Sequence, residues 1–392
     1  MLCMNMNRHY TTIVIGAGPA GIMCAKNAAC RGSVLLVDNN LLPRDKSCGG
    51  MLNEYAQEFL ANEFGFIPQD IFVQPNWLNF RFFDWDRDIK KATSLRFANV
   101  DRQKFDSWLL ESLPENVDVL PSTRFVNLRL GITAIEVWLQ PSNVAKPKSH
   151  ALADQSFKQA IFTCDYLVGA DGPRSEVRKN LSVPQIGLYK TLQDFLPLSS
   201  ELGPYFDCLY ARGIGSSYGY GYVIPKGDLA ILGSVFYPKT TNVLPVHECA
   251  ISLYSAYYPY LLKPVKREAW VAAQVKNKND ISTGYGRVLL AGEAGGLFSP
   301  SSGEGISFAL NSGKLAGQAI CEAKEFSTNI GKRKFSTWEQ SDALRIYNQL
   351  MHPTIKNIER RLHYFPVLNS GWGKDMAKFA PDFLVDKVAH HI

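Results

Sequence analysis

A β-α-β unit near the N-terminus constrains the fold of this chain more than any other segment. Residues 11–15 form a β-branched run that predicts a buried strand, an Ala-rich helix closing at Gly32 follows, and residues 34–37 predict a second strand. The turn between the first strand and the helix carries Gly-x-Gly-x-x-Gly at positions 16–21. A glycine turn between a strand and a helix indicates nucleotide binding and predicts an α/β domain of the Rossmann type.

The three glycines of this turn have different tasks. Gly16 permits the tight turn, Gly18 lets the backbone approach a pyrophosphate, and Gly21 lets the helix pack closely on the strand. Pro19 and Ala20 open the helix, whose N-terminal N–H groups attract an anion. We therefore predict that all five residues contact a dinucleotide.

Polar residues after the second strand are further candidate cofactor contacts. Asp38 lies 17 residues after Gly21, where a carboxylate accepts hydrogen bonds from an adenosine ribose; a turn-forming Asp before Asn39 is the alternative. Asn39 and Arg44 belong to the loop that follows. Arg102, at the start of a predicted helix, suits a phosphate or a ribityl hydroxyl, with a surface arginine as the competing interpretation.

Residues 288–307 predict a second cofactor-binding segment. A buried-strand pattern ends in a Gly-Glu pair, where the carboxylate suits a polyol, and a helix then starts near residues 303–306, where unpaired N–H groups suit a developing anion. A chain with a dinucleotide turn needs such a segment only for a long cofactor, so FAD fits better than NAD. The carboxylate of Glu304 would repel the anion unless it turns into a cap. The candidate contacts are Gly292, Glu293, Gly303, Gly305 and Ile306.

Two shorter segments complete the predicted binding residues. Asp171 and Gly172 close a buried strand and open a helix, so they suit cofactor binding and an ordinary capped helix start together. Cys48, Gly49 and Gly50 form a loop that a ring system could approach closely, because two residues there lack side chains. Cys48 is either a thiol that lines the pocket or relays protons, or a small apolar residue beside a turn.

Tyr218, Tyr220 and Tyr222 alternate along a predicted strand and put three phenols on one face. Such a stripe is either part of a sheet core with solvent-exposed hydroxyl groups or the wall of a pocket above a flavin. We take Cys48, Tyr220 and Tyr222 as the candidate catalytic residues. Metal and hydrolase chemistry is unsupported, because no metal-ligand spacing or Ser-His-Asp signature appears.

Charge and cysteine content exclude several classes of partner. The 42 basic and 36 acidic residues give +6 without a long run of like charge, so nucleic-acid binding is not implied. A short basic cluster at 332–334 leaves peripheral membrane contact open without supporting it. No apolar stretch of membrane-spanning length appears, and the eight cysteines lack paired spacing, so reduced thiols in a cytoplasm are expected.

Four motifs in combination resemble the FAD-dependent oxidoreductases typified by para-hydroxybenzoate hydroxylase. They lie at residues 16–21, 101–106, 169–172 and 288–307. Within that class, residues 48–52, 220–227 and 302–306 look most like the geranylgeranyl reductase family. Glu293 replaces the usual Asp of the late motif, Asp38 replaces the commoner Glu, and Tyr222 stands where a Trp is frequent.

The resemblance implies a Rossmann-like FAD domain, a substrate sheet over the isoalloxazine, and reduced FAD that delivers hydride to an apolar, prenyl-type double bond. NAD(P)H is a candidate electron donor. An FAD-dependent aromatic monooxygenase that uses NAD(P)H and oxygen is the alternative function. A flavin-dependent halogenase and a flavoprotein that binds a lipid or a partner without turnover are further alternatives.

The order of these segments predicts a discontinuous cofactor domain. The predicted fold class is α/β, with a Rossmann-like FAD-binding domain, an inserted and mostly antiparallel substrate sheet, and C-terminal helices. We assign residues 1–65, 99–183 and 281–325 to the FAD-binding domain. Residues 66–98 and 184–280 form the predicted substrate domain, and residues 326–392 form a C-terminal helical segment.

Overall fold

Two eight-stranded sheets organise the residues that the structure describes. The structure is a computed structural model that describes residues 9–142, 159–211, 218–324 and 341–368, together with Ala380. The predicted surface loop at 141–158 lies almost entirely outside the described residues, as do the basic cluster at 332–334 and most of the C-terminal tail.

The first sheet contains the predicted β-α-β unit. Its strands are β15 (Gly284–Tyr285), β16 (Val288–Leu290), β9 (Ala160–Gly169), β1 (His9–Ile15), β2 (Val34–Val37) and β6 (Val117–Leu120) in spatial order, with β8 (Ile135–Pro141) beside β9 and β7 (Thr123–Leu130) beside β8. The strands from β16 to β6 run parallel. The apolar sequences of β16 and β2 follow from burial on both faces, which is typical of parallel sheets.

The second sheet contains most of the segment between the cofactor motifs. Its strands are β14 (Lys266–Gln274), β10 (Gly187–Pro197), β13 (Leu229–Phe236), β12 (Tyr218–Lys226), β11 (Tyr205–Tyr210), β4 (Phe72–Asp84), β5 (Ile89–Val100) and β3 (Met51–Leu52) in spatial order. Neighbours are antiparallel except β4 and β11, which run parallel. The predicted fold class, including a mostly antiparallel inserted sheet, is confirmed.

Seven α-helices pack around the sheets in the described part of the chain. They are α1 (Pro19–Ala28), α2 (Glu54–Phe64), α3 (Arg102–Glu111), α4 (Glu176–Asn180), α5 (Val243–Tyr257), α6 (Ile306–Glu322) and α7 (Asp342–Leu368). The predicted helix that begins at Arg102 is capped by Asp101, whose carboxylate accepts the Lys104 N–H at 3.0 Å. None of the helices in the described ranges is long and apolar enough to cross a membrane.

Helix α5 was missed by the sequence analysis, which expected only sheet between residues 185 and 280. The helix buries Ala250 and Tyr254 against the second sheet, in a cluster with Leu232 and Phe236 of β13. Its apolar residues were assigned to strands because short apolar runs do not distinguish a strand from a covering helix.

Helix α6 packs closely against helix α1. A Cβ added at Gly313 would lie 2.0 Å from the carbonyl oxygen of Ala20, and one at Gly317 would lie 2.7 Å from the carbonyl oxygen of Cys24. Two helix backbones can approach this closely only where side chains are absent. The glycines of α6 therefore bring both cofactor segments into one unit.

The expectation that all cysteines are reduced is wrong for one pair. Cys30, just beyond the end of α1, is joined to Cys321 near the end of α6, with Cα atoms 6.2 Å apart. The pairing could not be read from spacing, because 291 residues separate the two cysteines and only the packing of α1 on α6 brings them together. Cys24, Cys48 and Cys164 are free thiols, as are Cys208 and Cys249.

Candidate functional site

The glycine turn after β1 has the close contacts that its motif predicts. A Cβ at Gly16 would lie 2.3 Å from the carbonyl oxygen of Ala170 at the end of β9, and one at Gly21 would lie 1.7 Å from the carbonyl oxygen of Gly16. Gly16 also has a φ of +103°, which favours glycine. The turn is therefore as tight as the sequence analysis expected.

Asp38 anchors the loops on either side of α1. Its carboxylate accepts the Ala17 N–H at 2.8 Å and the Asn40 N–H at 2.8 Å, and it pairs with Arg44 at 3.1 Å. The turn-forming interpretation is thus confirmed, and the ribose contact stays a prediction. The neighbouring Asn39 is exposed and accepts a hydrogen bond from the Ser142 hydroxyl.

Arg44 lies over the start of α1. A Cβ at Gly18 would lie 2.7 Å from Nη2 of Arg44, and the buried Nε of Arg44 has no hydrogen-bond partner among the described residues. Within those residues no side chain caps α1, and its first turn carries no acidic residue. An uncapped helix start beneath a guanidinium with an unused donor suits a phosphate group.

Cationic side chains surround Cys48 in the loop before β3. Arg102 is buried and pairs with Asp106 at 3.0 Å. Burial alone would raise the pKa of the Cys48 thiol, but Arg102 and Lys46 lower that pKa below its ordinary value, and the Gly50 N–H at 3.4 Å adds to the effect. Cys48 is therefore biased toward the thiolate, which the apolar interpretation of this residue does not explain.

Two lysines in this cluster were missed by the sequence analysis. Burial lowers the pKa of Lys226 to about 7, although its ammonium donates to the carbonyl oxygen of Val100 at 2.9 Å. Burial also lowers the pKa of Lys46; Glu293 opposes this shift, and Arg102 contributes to it. The alternation of β12 could have revealed Lys226, because it shares a face with the two predicted tyrosines.

Strand β12 lies across the loop that contains Cys48. A Cβ at Gly49 would lie 2.7 Å from Cδ1 of Ile224, and one at Gly50 would lie 2.8 Å from Nζ of Lys226. Gly50 is required here because its Cβ would also lie 2.1 Å from the carbonyl oxygen of Val100, whereas the Ile224 side chain could move away from a Cβ at Gly49. Of the predicted tyrosine stripe, a β-bulge separates Tyr218 from Tyr220, and the Tyr218 side chain lies outside the described residues.

Tyr222 is connected to the same loop through Gln193 of β10. The Gln193 side-chain amide donates to the Tyr222 hydroxyl at 2.5 Å, and its carbonyl oxygen accepts the Ser47 hydroxyl at 2.6 Å. Gln193 is buried, so both of its polar groups need these partners. Ser47 and Gln193 had no recognisable signal in the sequence, because neither belongs to a motif with a mechanism.

The late segment reaches both the second sheet and α6. Glu293 accepts the N–H of Ala273, at the end of β14, at 3.0 Å. A Cβ at Gly292 would lie 3.1 Å from Cβ of Ala20, which brings the late segment against the first turn of α1. A Cβ at Gly303 would lie 2.9 Å from the Tyr220 hydroxyl. This segment therefore lies between α1 and the second sheet.

Glu304 turns into a cap, as one of its two predicted orientations requires. Its carboxylate accepts the Ser307 N–H and the Ser307 hydroxyl, each at 2.7 Å, and the Ile306 N–H also faces it. The Glu304 carboxylate therefore caps the start of α6. Flavin contacts of Gly305 and Ile306 stay predictions.

Asp171 has the capping role that the sequence analysis allowed. Its carboxylate accepts the Ser175 hydroxyl at 2.5 Å and the Glu176 N–H at 2.8 Å at the start of α4. A Cβ at Gly16 would lie 2.9 Å from Cα of Asp171, so this cap adjoins the glycine turn. Gly172 has a φ of +79° and open space around it. Direct cofactor contacts of both residues stay predictions.

Comparisons with known proteins agree with this geometry. Residues 144–199 match a family model described as an FAD binding domain. Protein CbrA of Escherichia coli (strain K12) is 26% identical over 345 residues, which cover 86% of this chain and 90% of CbrA.

Two solved structures share the fold. A geranylgeranyl bacteriochlorophyll reductase-like protein from Thermoplasma acidophilum has a TM-score of 0.68 at 20% identity, over 97% of this chain and 90% of that one. The OxyS anhydrotetracycline hydroxylase from Streptomyces rimosus has a TM-score of 0.61 at 18% identity, over 92% of this chain and 69% of that one. The domain match and the fold together support FAD as the cofactor and an FAD-dependent oxidoreductase as the enzyme class.

Proposed function

We propose that this oxidoreductase is a reductase of the geranylgeranyl reductase type, which acts on a carbon–carbon double bond of an apolar, isoprenoid-like substrate. FAD, once reduced by a donor such as NAD(P)H, supplies the hydride. The chain binds the cofactor, forms an apolar wall for the substrate and supplies the proton that the second carbon of the double bond requires.

An aromatic wall on the second sheet carries this proposal. The face opposite α5 presents half-buried rings at the positions beside Tyr222, and that face also contacts the cofactor loops through Ile224 and Lys226. The ring centroids of Phe80 and Phe206 are 5.3 Å apart, and Phe206 lies 6.5 Å from Tyr222. Aromatic rings that border a cofactor loop suit an apolar chain better than a polar substrate.

Residues at the two ends of the site have separate roles toward FAD. The α1 start at Gly18, together with Arg44, would hold the phosphates, and Asp38 would contact the adenosine ribose. Glu293 would contact the ribityl chain through the carboxylate oxygen that does not accept the Ala273 N–H. The glycines of the late segment would admit the flavin ring beside Tyr220.

Tyr222 is the proposed proton donor. Its hydroxyl accepts the Gln193 N–H at 2.5 Å, and a hydrogen bond to a phenol oxygen stabilises the phenolate left after proton loss. Transfer of hydride to one carbon and of this proton to its neighbour saturates the double bond, and solvent then restores the Tyr222 proton.

The test uses the full-length protein reconstituted with FAD. The flavin is photoreduced without oxygen and mixed with geranylgeranyl diphosphate or an isoprenoid quinone, and the flavin absorbance is followed while products are analysed by mass spectrometry. We expect substrate-dependent reoxidation and a product heavier by two hydrogens, which Tyr222→Phe slows and the exposed control Tyr285→Phe does not.

Three outcomes would contradict the reductase assignment. A protein that gains no flavin absorbance from FAD would overturn the whole proposal. Rapid NAD(P)H oxidation with oxygen uptake, stimulated by an aromatic substrate, would favour the monooxygenase alternative. This chain shares its fold with the S. rimosus hydroxylase. Absence of substrate-dependent reoxidation with every isoprenoid would favour a binding protein without turnover.

A further inference from the structure

Arg361 connects the C-terminal helix α7 to the cofactor segment. Its side chain is buried, with 9% of the residue exposed. Nη1 donates to the Ser299 hydroxyl at 3.1 Å, and Nε donates to Oδ1 of Asn357, one turn earlier on α7, at 2.8 Å. The Asn357 contact fixes the orientation of the Arg361 guanidinium, so Nη1 is held toward the Ser299 hydroxyl.

Ser299 is the first residue of the loop at residues 299–304, and its hydrogen bonds hold this loop together. Its N–H donates to the carbonyl oxygen of Glu304 at 2.9 Å, which closes the loop on itself. Its hydroxyl also receives the Ser302 hydroxyl at 2.8 Å. Because Ser299 is buried, the Arg361 contact fixes the loop from the side of α7.

Arg361 also supplies positive charge to a buried carboxylate. Burial raises the pKa of Glu304, whereas the hydrogen bonds from Ser307 and the charge of Arg361 oppose that rise. In the other direction, burial lowers the pKa of Arg361 and the charge of Glu304 opposes the change. The charge of each side chain therefore favours the ionised form of the other.

The loop that Arg361 fixes has the substrate sheet on its other side. Gly303 meets the Tyr220 hydroxyl, and Glu304 caps the first turn of α6. A displacement of this loop would therefore change both the start of α6 and the contact with β12.

We propose that Arg361 is a positioning residue of the cofactor site, which holds the 299–304 loop through Ser299 and balances the Glu304 carboxylate so that the start of α6 is set for FAD. This inference rests on the FAD-binding part of the proposed function and not on the identity of the substrate. It extends the cofactor site to a helix that the sequence analysis left in a separate C-terminal segment.

The test compares FAD affinity across a set of variants, measured by fluorescence titration of the apoprotein, with thermal unfolding of the apoprotein in parallel. We expect Arg361→Met to weaken FAD binding about tenfold or more, because a charge-assisted hydrogen bond and a charge balance are both lost. Arg361→Lys should restore a large part of the affinity. Arg360→Met, at the adjacent exposed position, should bind FAD as the wild type does.

A double-mutant cycle with Glu304→Gln tests the charge balance directly. If Arg361 neutralises Glu304, the loss caused by Arg361→Met should be smaller in the Glu304→Gln background. Unchanged FAD affinity of Arg361→Met, with only the apoprotein destabilised, would reduce Arg361 to a packing role and overturn the inference. If Arg361→Met does not fold, the FAD affinities of Arg361→Lys and Ser299→Ala are compared with that of the wild type instead. We expect a moderate loss of FAD affinity for both variants. A wild type that binds no FAD would instead overturn the proposed function.

Discussion

The Lys226 ammonium donates to the carbonyl oxygen of Val100 at 2.9 Å, and this contact joins β12 to the end of β5 directly beside the Cys48 loop. Lys226 is half-buried at this contact, and the charges of Cys48, Asp101 and Arg102 act on it. Its protonation therefore depends on which charges a bound cofactor brings to the site.

FAD binding should take up protons near pH 8. Burial lowers the pKa of Lys226 to about 7, so the apoprotein has lost much of this proton at pH 8, and the negative phosphates of FAD should raise the pKa again. Isothermal titration calorimetry in buffers of different ionisation enthalpy should report uptake of up to about one proton. Lys226→Met should reduce the uptake, and Lys179→Met, on the exposed face of α4, should not. Identical binding enthalpies in all buffers would refute the prediction.

Arg102→Gln should make Cys48 less reactive at neutral pH. The Arg102 charge favours the thiolate, so its removal should raise the pKa of Cys48 and move the pH midpoint of alkylation upward. Iodoacetamide labelling of the apoprotein at several pH values, read by peptide mass spectrometry, measures this midpoint. The exposed Cys249 is an internal control whose labelling should be the same in both proteins. A common shift of both cysteines would point to a general loss of structure instead.

Asp194→Asn should destabilise the protein in a pH-dependent way. Burial alone would raise the pKa of Asp194, but hydrogen bonds from Arg267 and the His247 imidazole 3.4 Å away lower it to about 2. The stabilisation is therefore fully present above the unfolded pKa, about 3.9, and is lost as the pH falls toward 2. Urea unfolding should show a loss of about 3 kcal/mol at pH 7 that narrows below pH 4. The exposed Asp45→Asn should change stability by less than about 0.5 kcal/mol, and a pH-independent loss at position 194 would exclude this explanation.

Gly313→Ala should separate α6 from α1. The new Cβ would lie 2.0 Å from the backbone oxygen of Ala20, so one of the two helices must move, at a cost of about 1–3 kcal/mol. Thermal unfolding of the apoprotein measures this cost. Lys314→Ala, one position further along α6, removes only a partly exposed pair with Glu63 and should have a much smaller effect. Equal stabilities of the two variants would mean that the helices adapt without strain.

The parts of the fold that depend on local sequence were predictable. The glycine turn, the strand that ends at Asp38 and the Asp101 cap each have a physical signature within a few residues. The sequence also left Glu304 with two orientations, and only the folded chain brings Ser307 to its carboxylate in the capping geometry.

Contacts between distant segments could not be predicted. Gln193 reaches Tyr222 and Ser47 because three elements meet there, and no spacing in the chain encodes that meeting. Arg361 had no signal for the same reason, since an arginine on an amphipathic helix usually faces solvent. The Cys30–Cys321 pairing likewise depends on the packing of α1 on α6.

That packing has a consequence for synthesis of the chain. The α1 helix is made early on the ribosome, yet the surface it buries against α6 is completed only when residues near Gly313 have emerged. Strand β1 likewise waits for β9 to pair with it at Ile15 and Gly169. The glycine turn and α1 are therefore synthesised long before α6 and β9 can pack against them. Until then their apolar surface is exposed to other chains.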